Sequence, residues 1–132
     1  MTDEIPLFEI PWDEKDISNA VESLSRGGYW AKGPFVDEFE HGLGSYFGVD
    51  HAISTNSGTT ALVAALKACG IGPGDEVIIP SFTFIATANV VKLVGADPIF
   101  ADIERNTFGL DPTSVESKIT EETAAIIPVH VY

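Results

Sequence analysis

In the segment Ile53-Ser54-Thr55-Asn56-Ser57-Gly58-Thr59-Thr60-Ala61-Leu62, small polar residues separate two apolar stretches. The pattern predicts a short strand, a tight turn and the first turn of an apolar helix. Such a turn aims unpaired backbone N–H groups, hydroxyls and the positive helix end at one place, and the fitting ligand is an anion, above all a phosphate. Gly58 permits close approach because it has no side chain. Thr59 and Thr60 bring hydroxyls that can share the three oxygens of a phosphate. The same residues also suit a capped helix with no ligand, since Ser and Thr are common caps. The lysine and the longer glycine spacing of a Walker loop are missing, and so is the dinucleotide fingerprint.

Three other segments are candidates. Pro80-Ser81-Phe82-Thr83-Phe84-Ile85-Ala86-Thr87 follows a predicted strand and opens a predicted helix. Its aromatics suit either a flat face for a planar ligand or ordinary core packing. Gly27-Gly28-Tyr29-Trp30-Ala31-Lys32-Gly33-Pro34 reads as a lid, a subunit contact or a plain helix–helix connector. His130, in Pro128-Val129-His130-Val131-Tyr132, sits at the end of the last predicted strand, where a lone histidine is by default structural. The histidines at 41, 51 and 130 show no ligand spacing and Cys69 is the single cysteine, so no metal is expected.

The chain has 132 residues, 45% hydrophobic and 20% charged, which suits one domain with a real core. Its formal net charge of −13 would repel a phosphodiester backbone, so nucleic acid is not an expected partner. A small phosphorylated ligand is compatible with that charge, because local N–H groups at a helix start bind it. No apolar run reaches the length of a membrane span, and Met1-Thr2-Asp3-Glu4 is acidic where a signal peptide would be basic. With a lone cysteine this points to the cytoplasm.

The elements that must position these residues follow from periodicity and caps. Asp13 is placed to cap a helix reaching Arg26, with Ile17, Ala20, Val21 and Leu24 on one face. A second helix is expected from Phe35 to Phe47, closed by Gly48. From position 51 the pattern alternates: strand His51–Thr55, helix Thr59–Cys69, strand Glu76–Ile79, helix Thr83–Val94 and strand Pro98–Asp102. A short helix opened by Asp111-Pro112 and a strand Ala124–Val131 complete the series. The expected fold class is α/β, a mostly parallel sheet flanked by helices. The expected division is a helical segment over 1–50 and an incomplete α/β domain over 51–132. Ligands of such sheets sit at the carboxyl ends of strands, where the turns after Thr55, Ile79 and Val131 would lie.

Together these segments resemble the DegT/DnrJ/EryC1/StrS family of pyridoxal-phosphate-dependent sugar aminotransferases. The resemblance runs from Ile5-Pro6-Leu7 through Gly33-Pro34, Asn56-Ser57-Gly58-Thr59 and Gly72-Pro73-Gly74-Asp75-Glu76-Val77-Ile78. It continues through Pro80-Ser81-Phe82-Thr83-Phe84 and Gly95-Ala96-Asp97-Pro98 to Ile127-Pro128-Val129-His130. It implies the large domain of a fold-type I aminotransferase, acting as a homodimer on a nucleotide-linked keto-sugar with an amino-acid donor, glutamate. It implies that Gly58, Thr59 and Thr60 form the cup for the phosphate of pyridoxal 5′-phosphate and that Phe84 stacks on its ring. Tyr29 and Trp30 would contact the substrate or the partner subunit. Family members are much longer. Beyond the region ending at Tyr132 they carry an acidic residue that pairs with the pyridine nitrogen, and further on the lysine that forms the Schiff base. Lys15, Lys32, Lys67, Lys92 and Lys118 match no such segment. The chain is therefore expected to be the N-terminal part of a longer enzyme, with no catalytic residue of its own and no activity alone. The alternatives are part of a sugar dehydratase of the same family, in which histidine replaces the lysine, and a non-catalytic phosphate-binding domain.

Overall fold

The computed structural model describes residues 5–6, 8–28 and 32–132, so Tyr29 and Trp30 lie outside the described residues. The chain divides into two compact units, Met1–Ser54 and Thr55–Tyr132.

In the first unit, α1 (Glu14–Ser25) starts at Asp13. The Asp13 carboxylate accepts from the N–H groups of Lys15 (2.8 Å) and Asp16 (3.1 Å), while Asp16 accepts from the Asp13 N–H (2.9 Å). This reciprocal capping box satisfies donors that the helix itself cannot. Its apolar stripe is nevertheless open to solvent: Ile17, Val21 and Leu24 are each more than half exposed. The second helix, α2 (Pro34–Phe47), has proline in its first turn and ends at Gly48 in the left-handed conformation. The strand expected over His51–Thr55 does not form. Ser54 donates its N–H (2.7 Å) and its hydroxyl (2.8 Å) to Glu40 of α2, so its donors go to a carboxylate and not to a ladder. Those two bonds, the N–H first and the hydroxyl second, hold the Glu40 carboxyl below its ordinary value.

The second unit carries the sheet. It begins with α3 (Gly58–Ala68) and continues β1 (Glu76–Pro80), α4 (Ala86–Val94), β2 (Asp97–Ala101), α5 (Pro112–Lys118) and β3 (Thr123–Ile126). The three strands are parallel in the order β2-β1-β3. The expected alternation therefore holds with one strand fewer. In the middle strand Val77, Ile78 and Ile79 have no exposed surface. Val77 and Ile79 pack with Leu66 of α3 and Val90 and Val91 of α4. Ile78 points to the opposite face by strand alternation and is sealed too, as a central parallel strand requires. Between α4 and β2, Gly95 adopts φ +90°, and a Cβ there would lie 3.0 Å from Pro73, so both conformation and space demand glycine. Among the described residues no helix is long and apolar enough to cross a membrane.

Candidate functional site

The second unit holds a cavity of about 740 Å³ between the start of α3, the loop after β1 and the segment after β3. Its site follows from the strand order. From β1 the chain crosses to β2 on one side, then returns past β1 to β3 on the other, which opens a crevice at the carboxyl ends of β1 and β3.

One wall is the start of α3, contributing Gly58, Thr59 and Leu62. Ser57 caps this helix, its hydroxyl oxygen accepting from the Thr60 N–H at 3.2 Å. The Thr60 hydroxyl donates to the Asn56 side-chain oxygen at 2.8 Å, so its single proton is committed and the Ser57 hydroxyl donates to Thr60 at 2.9 Å. Thr60 is thus engaged inside the turn, and it does not line the cavity. The Gly58 and Thr59 N–H groups lie in the first turn, where no intrahelical acceptor exists. That turn contains no acidic side chain, so the positive helix end is not neutralised from within. A Cβ added to Gly58 would meet no protein atom within 4 Å.

A second wall follows β1. Phe82, Thr83 and Phe84 lead into α4, whose Ala86 and Thr87 continue the lining. The helix starts at Ala86, later than the expected Thr83, because Thr83–Ile85 turn out of the strand without a side-chain cap. Phe84 is 77% exposed, a large ring facing open space. The third wall is Ile127, Pro128, Val129 and Val131. The last strand stops at Ile126, short of the expected Val131. Pro128 has no N–H to give a ladder, and the extended chain beyond β3 becomes cavity wall. His130 is exposed and outside the lining.

Phe82 of the lining meets Phe108 (ring centroids 6.1 Å apart), and Phe108 meets Tyr132 (5.4 Å). Phe108 has φ 59°, uncommon for a residue with a side chain. The Glu104 carboxylate braces that turn, accepting the Thr107 hydroxyl and the N–H groups of Asn106 (2.7 Å) and Thr107 (2.6 Å). These bonds, the Thr107 hydroxyl first, hold Glu104 below the ordinary carboxylate range. Among the described residues no group of His, Cys, Asp and Glu is arranged to hold a metal ion.

Of the residues singled out from sequence, Gly58, Thr59 and Phe84 come together at this cavity. Thr83, Thr87 and, apart from Ile127, the wall after β3 fall within the candidate segments Pro80–Thr87 and Pro128–Tyr132, but sequence reasoning assigns none of them a role of its own. The available signals were two threonines at helical i, i+4 spacing and a proline inside an apolar run.

Comparison with known proteins matches residues 11–132 to the DegT/DnrJ/EryC1/StrS aminotransferase family. The chain is 46% identical over 123 residues to the spore coat polysaccharide biosynthesis protein SpsC of Bacillus subtilis, covering 93% of this chain and 32% of SpsC. It is 55% identical over 100 residues to the GDP-perosamine synthase of Caulobacter vibrioides, covering 76% of this chain and 27% of that protein. Its fold superposes with a TM-score of 0.80 on NtdA of Bacillus subtilis, a crystal structure with bound cofactor PMP. That match is 37% identical and covers 91% of this chain and 28% of NtdA. The chain thus spans less than a third of the length of each of these three proteins.

Proposed function

The chain belongs to the DegT/DnrJ/EryC1/StrS aminotransferase family, and from that premise we propose that its second unit holds the B6 coenzyme of a nucleotide-sugar aminotransferase. The reaction would move an amino group from glutamate to a keto group on a nucleotide-linked sugar, in a homodimer. The exposed free thiol of Cys69 fits a reducing cytoplasm.

One observation carries this reading. An unneutralised helix start and an open aromatic ring line the same cavity. That pair suits a ligand with a phosphate at one end and a flat ring at the other. The residues pass the test of fit. The Gly58 and Thr59 N–H groups supply donors for phosphate oxygens, and Gly58 leaves its approach open. Thr60 and Asn56 keep the turn in shape from behind. Phe84 supplies a face for the ring, and Leu62, Ile127 and Val129 exclude water from its flank. When bound, pyridoxal 5′-phosphate supplies an electron sink and carries the amino group between donor and acceptor. Among the described residues no lysine lines the cavity, so this part of the protein holds the coenzyme by non-covalent contacts. The chain alone is expected to transfer no amine. The division of labour is a helical segment, expected over 1–50, and a coenzyme-holding domain, expected over 51–132, whose compact unit starts at Thr55 because Ser54 bonds to Glu40 of α2.

The test is coenzyme titration followed by absorbance. The wild-type protein is expected to take up pyridoxal 5′-phosphate and inorganic phosphate at the same place. Gly58→Val should leave the fold intact, since its side chain meets no protein atom at Cβ, while weakening both ligands by at least about tenfold through lost charge-assisted hydrogen bonds. Undiminished binding in that variant would refute the assignment.

A further inference from the structure

We propose that Thr87 is a positioning residue: joined to Thr83 through their hydroxyls, it sets the direction in which the Phe84 ring leaves the backbone. The inference rests on the reading of Phe84 as a ring-stacking face.

Most aromatic rings are fixed by the side chains packed around them. Phe84 lacks that constraint, being 77% exposed, and among the described residues no other aromatic ring pairs with it. Its direction must come from the backbone that carries it. Two bonds that hold that backbone end on Thr87; a third, from the Asn89 N–H to the Ile85 carbonyl at 3.1 Å, holds the residue after the ring. The Thr87 N–H donates to the Phe84 carbonyl at 3.1 Å. The Thr87 hydroxyl oxygen lies 3.0 Å from that of Thr83, on the other side of Phe84. Ile85, the residue before α4, gives no side-chain cap, so the threonine pair is the polar side-chain tie between loop and helix.

Thr87 is also the buried polar side chain of the described residues, at 5% exposure. A buried hydroxyl is costly unless bonded. Threonine in a helix commonly bonds the carbonyl four residues back; here its hydroxyl pairs with the Thr83 side chain. Valine would fill the same space without the hydroxyl. The hydroxyl is therefore what makes threonine specific here, and what it reaches is the loop that bears Phe84.

The holoprotein allows a direct test by absorbance and coenzyme-band circular dichroism with pyridoxal 5′-phosphate, and by competition with inorganic phosphate. Thr87→Val is expected to weaken the coenzyme about three- to tenfold, the range of an aromatic stacking contact, and to reduce the coenzyme-band dichroism. Phosphate affinity should not move, because phosphate meets only the start of α3. Thr87→Ser should restore both signals. Thr83→Val cuts the same pair from the partly exposed loop and should reproduce the result even where Thr87→Val folds poorly. Unchanged dichroism and affinity in Thr83→Val would overturn the proposal, as would phosphate affinity falling in step with coenzyme affinity. Failure of the wild-type protein to take up coenzyme would instead overturn the functional reading beneath it.

Discussion

Helices α1 and α3 look alike in sequence, each an amphipathic run behind a polar cap, yet they are used differently. The first turn of α1 holds Glu14 and Asp16, and with Asp13 these carboxylates occupy its positive end. The first turn of α3 holds no acid, and its cap is the neutral hydroxyl of Ser57. The apolar stripe of α1 stays open, with Leu24 at 68% exposure, whereas Leu66 of α3 is at 6% against Val77 and Ile79. A helix start can receive an outside anion only where its own side chains leave the charge free. A stripe becomes core only where a partner element meets it. Neither property belongs to the helix alone.

The largest expected effect separates the two stripes. Leu66→Ala should destabilise the second unit by about 2–4 kcal/mol through lost burial and a cavity. Leu24→Ala should stay within about 0.5 kcal/mol, as for other surface changes. Denaturant midpoints of the two variants check this, and equal losses would break the contrast. A smaller effect separates the caps. Asp13→Ala should cost α1 about 1 kcal/mol, read as faster amide exchange in α1 with no change in α3.

The caps were legible because their chemistry is local. Asp13, Gly48 and Asp111 were each expected from neighbouring residues and each closes or opens its helix. The core of β1 was legible as a short apolar run. The failed strand over His51–Thr55 was not, because a strand exists only if a distant segment offers a ladder. Ile53 there is 86% exposed, and Ser54 turns to Glu40 instead. In the candidate site, Gly58, Thr59 and Phe84 could be named because glycine, hydroxyl and ring each advertise a chemistry. Thr87 could not, since a buried threonine reads as a helix filler until its partner is seen.

The smallest effect concerns the first unit alone. The Glu40 carboxyl is held below its ordinary value by Ser54, so its folded form is favoured above that ordinary value. The contribution disappears as pH falls through the lowered folded value. Nuclear magnetic resonance titration should show the Glu40 midpoint rising part of the way toward the usual carboxylate range in Ser54→Ala, which removes the hydroxyl bond and keeps the N–H bond. An unmoved midpoint would show that the Ser54 hydroxyl plays no part in lowering Glu40.

The middle place of β1 has a kinetic consequence. It meets β2 across a single helix, but it meets β3 only after that helix, a second strand and α5 have been traversed. Closing the longer loop costs more chain entropy. The strand pair β1–β2 is therefore the natural seed of the sheet, and the cavity wall carried beyond β3 is the last piece to arrive.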